Sequence, residues 1–225
     1  MPRCFEPKFE ILPPAQLEIW EALRPAARLG FALYGGTAIA LQLGHRQSVD
    51  FDFFSAAPLD KDALRQAFRF TADATPLQDQ PNTFVVSANM PSGAVKVSFF
   101  GGLGFGRVSD PLQSSDCVMI VASLDDLMAT TLKAILDPAE AKDYRDIAAM
   151  LTAGVELPKA LSVFKAMFRA EPRTALMAIG YFDDGDVRSI TKHEKALLVA
   201  ARDRTRDLPE VELTYGSLVV DIAPY

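Results

Sequence analysis

Thiol and imidazole groups are scarce in this chain. Two cysteines, Cys4 and Cys117, are too few for a disulfide framework or a thiolate metal set, which fits a reducing compartment. Two histidines, His45 and His193, argue against a His-rich zinc site. No apolar run approaches the roughly 18 residues needed to span a bilayer. The opening ten residues also lack the apolar core of a signal peptide. The expectation is a cytoplasmic protein without a membrane segment. Disorder is excluded as well, because 49% of the 225 residues are hydrophobic and 23% charged. Such a chain buries a real core in one or two domains.

Acidic residues outnumber basic ones by 29 to 23, a net charge of −6, but unevenly. Residues 157–206 carry ten Lys/Arg against six Asp/Glu, while the remainder holds 13 against 23. A mildly basic C-terminal third on an acidic body offers a face to a polyanion or, more simply, a set of solvated helix faces.

Hydrophobic spacing predicts a helix over residues 14–29, started by Pro14 and buried through Leu17, Trp20, Leu23 and Ala27. Residues 31–34 read as a short buried strand that Gly35-Gly36 breaks, with Thr37 capping a helix up to Gly44. Residues 48–54 alternate with period 2, a strand, and residues 59–68 look helical. Residues 83–88 and 94–100 read as a hairpin. Ser123 opens a helix to about Leu136, and Asp137-Pro-Ala-Glu140 starts another with Asp137 as its cap. Further helices are expected over 158–169, 173–182 and 191–204, the last with Thr191 and Glu194 as a capping box, and a strand pair over 211–222. Strands to about residue 122 and helices after it make the chain α+β. Its expected division is an α/β domain, 1–122, and a mainly helical region, 123–225.

The strongest chemical signal is Gly35-Gly36 followed by Asp50-Phe-Asp52. Alternate residues of a strand share a face, so the two carboxylates stand about 7 Å apart. A hard cation such as Mg²⁺ suits that pair, keeping waters or phosphate oxygens for its other positions. Gly-Gly at a helix start lets backbone approach a phosphate chain at which the helix amides point. Phe51 and Phe53 take the core side, leaving the acids on the other face. Asp143 and Asp146 are neighbours on one helix flank, with Ala141, Tyr144, Ala148 and Leu151 as the buried stripe. Without further support they read as solvated acids. The run Gly101-Gly-Leu-Gly-Phe-Gly106 fits neither a dinucleotide fingerprint nor a P-loop, and Asp183-Asp-Gly-Asp186 reads as a turn rather than a calcium loop.

Four stretches together resemble the AbiEii/AbiGii toxin family of nucleotidyltransferases. They are Tyr34-Gly-Gly-Thr-Ala-Ile-Ala-Leu-Gln-Leu-Gly-His-Arg46, Ser48-Val-Asp-Phe-Asp-Phe-Phe54, Val95-Lys-Val-Ser-Phe-Phe100 and Ala141-Lys-Asp-Tyr-Arg-Asp-Ile147. The resemblance implies a nucleotidyltransferase-like mixed sheet with flanking helices, followed by a helical C-terminal portion. It also implies Mg²⁺-dependent transfer of a nucleoside monophosphate from an NTP to RNA, with tRNA the substrate of characterised relatives, and an antitoxin as partner. By that likeness Gly35, Gly36 and Thr37 hold the triphosphate, Asp50 and Asp52 hold metal, and Asp146 is the later catalytic carboxylate beside Asp143. Arg46 matches the family's arginine before the strand.

Three positions depart from the pattern. Thr131 and Pro138 stand where the family has a lysine and an arginine, and Lys133 is two residues on, about 200° round a helix. Ser98 stands where many nucleotidyltransferases place a third metal carboxylate. Two functions follow from these residues: a toxin-type nucleotidyltransferase, or a weakened relative that keeps nucleotide or partner binding without turnover.

Overall fold

Phe51 and Phe53 are fully buried, while Asp50, Asp52 and Phe54 around them stay partly open. That alternation gives the sheet one core face. The computed structural model describes residues 3–220. The chain forms two compact units. One contains the residues up to Gly106, Asp110–Ser123 and the stretch from Tyr215; the other contains Arg107–Ser109 and Leu124–Thr214.

The first unit is built on a mixed sheet. In chain order its strands are β1 (Arg3–Phe5), β2 (Ala32–Tyr34), β3 (Asp50–Phe54), β4 (Thr75–Gln80), β5 (Thr83–Met90), β6 (Gly93–Phe100), β7 (Leu112–Ser114) and β8 (Ile120–Val121). Their spatial order is β1-β7-β8-β2-β3-β6-β5-β4. The pairs β1–β7, β8–β2 and β3–β6 are parallel and the others antiparallel. The expected hairpin is there, its strands meeting at Met90 and Gly93 across a two-residue turn. On the core face Phe53 stacks on Phe99 at 5.3 Å, with Phe31 and Phe68 packed on the same ring at 5.4 and 5.0 Å. Burial of each such ring contributes roughly 2–3 kcal/mol, and the offset and edge contacts add to it.

Helices α1 (Pro14–Ile19), α2 (Pro25–Arg28), α3 (Gly35–Leu43) and α4 (Lys61–Ala67) belong to this unit. The single helix expected over 14–29 is broken. A 3₁₀ turn at Trp20–Leu23 separates α1 from α2, and Pro25, which has no N–H, opens the second piece. The buried stripe shifts accordingly to Ala15, Ile19, Leu23 and Ala26 with Trp20, while Leu17 is 45% exposed. Thr37 is not a cap either. Helix α3 starts three residues earlier, with Tyr34 as N-cap in extended geometry, so Thr37 lies within the first turn.

The Gly-rich run after β6 is packed at its start and open at Gly104. A Cβ on Gly101 would stand 2.7 Å from the Ala57 carbonyl oxygen, so only glycine fits there. Phe105 lies edge-on to Tyr34 and Phe54.

The second unit contains α5 (Leu124–Ala134), α6 (Ala141–Thr152), α7 (Leu157–Phe168), α8 (Pro172–Ala178) and α9 (Lys192–Arg204). Helix α5 packs on α6 and α7, and α6 on α9. The Thr191/Glu194 capping box is formed at the start of α9. Helix α6 begins at Ala141, not at Asp137. Its N-cap, Glu140, makes no side-chain cap bond, and Asp186 Oδ1 instead accepts from Ala141 N–H at 2.9 Å. The acidic turn thus caps a helix 45 residues away in sequence. Asp126 Oδ1 accepts from Val108 N–H at 2.7 Å, anchoring the short 107–109 segment to α5. Of the strand pair expected over 211–222, the described residues contain one bridge, Arg107 to Thr214, closed by backbone bonds of 2.9 and 2.8 Å. Residues 221–222 lie outside the described residues. Among the described residues no helix is long and apolar enough to cross a membrane.

Candidate active site

Strand β2 runs antiparallel to β3 with Tyr34 opposite Asp52, which delivers the residue after Tyr34 to the Asp52 carboxylate. That residue is Gly35, at φ +72°, and a Cβ on it would stand 3.0 Å from Asp52 Oδ2. The left-handed backbone favours glycine here, and any Cβ would press on the carboxylate. Gly35 and Gly36 then form the first turn of α3, whose N–H groups lack acceptors within the helix. The expected juxtaposition of Gly-Gly and D-x-D is present.

Thr37 ties the two elements together. Its side chain is buried, and Oγ1 donates to the Asp50 carbonyl and shares a 2.7 Å hydrogen bond with Ser48 Oγ. The hydroxyl therefore fixes the start of β3 against α3 and does not face outward. Arg46, four residues before Asp50, donates from Nη1 to the Gln47 carbonyl at 2.9 Å.

On the far side of β3 the parallel register sets Asp50 opposite Lys96 and Asp52 opposite Ser98. Lys96 Nζ lies 3.3 Å from Asp50 Oδ2, with the two side chains 45% and 37% exposed. A pair this open contributes little to stability. Ser98 is fully buried, and its Oγ has no hydrogen-bond partner among the described residues. Lys96 was missed from sequence. The alternation Val95-Lys-Val-Ser98 already placed Lys96 and Ser98 on one strand face. Only the pairing of β6 with β3, which no local pattern encodes, set that face beside the acids.

The donor set suits a hard divalent cation. Asp50 and Asp52 are two carboxylates on one face, next to a glycine whose missing Cβ leaves room. Mg²⁺ asks for one or two carboxylates and fills its shell with waters and phosphate oxygens. Among the described residues no cluster of three or more His, Cys, Asp or Glu suited to a metal occurs, so the pair would act with a phosphate ligand.

In the helical unit, Asp146 is 1% exposed on α6, which separates it from an ordinary solvated helix acid. Asp143 precedes it by one turn, partly buried. Burial pushes its carboxyl up to about 6, against the pull of Lys142 and with reinforcement from Asp146 and Glu140. Of the stripe expected on α6, Ala141, Tyr144 and Ala148 are buried and Leu151 is partly open. On α5, Thr131 is buried and its Oγ1 donates back to the Leu127 carbonyl at 2.8 Å, whereas Lys133 is exposed.

Comparison with known proteins gives a family and a fold. A family model described as nucleotidyl transferase AbiEii toxin, type IV toxin–antitoxin system, matches residues 19–213. An uncharacterized protein of Aquifex aeolicus (strain VF5), aq_aa25, is 28% identical over 133 residues, 56% of this chain and 62% of that relative. The chain therefore matches less than two thirds of that relative's length. The solved structure of MenT4, a nucleotidyltransferase toxin from Mycobacterium tuberculosis H37Rv, is similar in fold. It has a TM-score of 0.57 and 12% identity, covering 85% of this chain and 84% of the other.

Proposed function

The chain belongs to the AbiEii family of nucleotidyl transferase toxins, and on that premise we propose that it transfers a nucleoside monophosphate from an NTP to RNA, tRNA being the acceptor. The observation that carries this reading is the approach of Gly35 to the Asp52 carboxylate, with Asp50 on the same face. The residues divide the work. Gly35 and Gly36 bring backbone amides up to the phosphates, Asp50 and Asp52 orient the metal–triphosphate, and Thr37 holds the two elements in register. A Mg²⁺ held there supplies charge neutralisation on the phosphates and a lower pKa for the attacking hydroxyl. Asp146, a buried carboxylate on α6 with Asp143 beside it, is the later carboxylate of the family pattern. A cytoplasmic antitoxin protein is the partner that the family relationship supports.

A second reading has one observation in its favour. Thr131 is buried and hydrogen-bonded to its own helix, so it presents no cation where the family pattern has lysine. In that reading the protein binds nucleotide or partner without turnover. Purified protein incubated with NTPs labelled on the α-phosphate, Mg²⁺ and total tRNA separates the two. Labelled RNA from wild type, lost in Asp50→Asn, supports the enzyme. Nucleotide binding without label from any of the four NTPs supports the binder.

A further inference from the structure

We infer that Lys96 is a phosphate-positioning residue of the nucleotide site, a role that rests on the nucleotide reading given above. The geometry starts from the β3–β6 pairing. Lys96 is in register with Asp50 and shares its face of the sheet, one alternate position along from the pair Asp52 and Ser98. Its ammonium lies 3.3 Å from Asp50 Oδ2 and its side chain is 45% exposed. An ion pair in that much solvent is held weakly and exchanges readily.

Asp50 is one of the two acids that a cation–triphosphate complex would engage. Once Asp50 turns to that complex, the Lys96 ammonium loses its partner, but its stem still starts on the same face. The nearest new negative charge is then the phosphate chain itself. Lysine suits this exchange, being a compact point charge on a flexible four-carbon stem. Ser98, the next residue on that face, adds an independent sign of a ligand. Its hydroxyl is buried in register with Asp52 and has no protein partner among the described residues, a polar group that nothing in the sheet satisfies.

The role makes opposite demands on two ligands. Removing the ammonium takes away a competitor for Asp50, so affinity for the metal alone should hold or rise. It also takes away a phosphate contact, so affinity for the metal–triphosphate should fall. Titration calorimetry of wild type, Lys96→Met and Lys96→Arg with Mg²⁺ alone, with each Mg–NTP and with the matching monophosphates reads both. The expected result is a loss of about tenfold or more in Mg–NTP affinity in Lys96→Met. Monophosphate affinity should stay within about twofold, Mg²⁺ affinity should be unchanged or tighter, and Lys96→Arg should recover most of the loss. Equal Mg–NTP binding by wild type and Lys96→Met overturns the role of Lys96 while leaving the nucleotide site standing. A proportional loss for tri- and monophosphates does the same, since it marks a merely structural pair. Absence of Mg–NTP binding in wild type removes the nucleotide site and Lys96 with it. Should Lys96→Met not fold, Lys96→Gln, which keeps the stem and a hydrogen-bonding head, carries the same comparison.

Discussion

Asp52 Oδ2 lies 3.0 Å from the point where a Cβ of Gly35 would stand, so the carboxylate keeps its place against a residue that has no side chain. Gly35→Ala would force a left-handed alanine, costing about 1–2 kcal/mol, and would push the carboxylate aside. The expected outcome is a modest drop in denaturant midpoint with a loss of about tenfold or more in Mg–NTP affinity. Unchanged affinity in a folded Gly35→Ala protein would remove Asp52 from the site.

Thr131→Lys tests whether a missing cation limits turnover. The position is 7% exposed, so a lysine there must run its stem along apolar surface and carry its charge outward. Where the cation is the deficiency, transfer of label to tRNA should rise by roughly a hundredfold, the effect of about 3 kcal/mol on the transition state. No rise, in a protein that still binds Mg–NTP, points to the binder.

Asp143 sets a pH dependence. Its carboxyl is raised to about 6 by burial, so the folded state takes up a proton more readily than the unfolded chain. Its contribution to stability is therefore full below about pH 4 and is lost as pH rises through about 6. Urea denaturation of wild type and Asp143→Asn should show the variant more stable by roughly 2 kcal/mol at pH 7.5, with the gap closing toward pH 4. An equal gap at both pH values would mean that the carboxyl does not titrate in this window.

Asp186 caps α6 from outside that helix. Asp186→Ala should cost about 1 kcal/mol by leaving the Ala141 N–H unpaired, and Asp186→Asn should restore most of it, since an amide oxygen accepts equally well. Chemical denaturation of the three proteins measures this. Equal stability of wild type and Asp186→Ala would show the cap bond to be inconsequential.

What was legible in the sequence was whatever a local pattern encodes. The alternation of Phe51 and Phe53 with Asp50 and Asp52 marked β3 and its polar face. Gly-Gly marked the break between β2 and α3, and Thr191 with Glu194 marked the start of α9. Strand β4 was invisible because it is exposed along its whole length, so no alternation was selected. Strands β1, β7 and β8 are two or three residues long, too short for a period to show. Asp186 capping Ala141 and Lys96 facing Asp50 depend on contacts between residues about 45 apart, which only the folded chain brings together. Thr37 misled for a simpler reason. A threonine after two glycines looks like a cap, but Gly35 can take the positive φ that starts the helix earlier.

The two compact units are threaded through each other in sequence: the chain leaves the first at Gly106, returns at Asp110, leaves again after Ser123 and comes back at Tyr215. Order of synthesis therefore matters. The ribosome releases the three residues that Asp126 anchors before the helix carrying Asp126 exists, and it delivers the last piece of the sheet unit, with buried Leu218, only after every helix of the other. Neither unit has all its parts until synthesis has passed residue 213. An emerging chain halted near residue 200 would hold the complete D-x-D strand and both glycines, yet lack the closing segment of the unit that carries them.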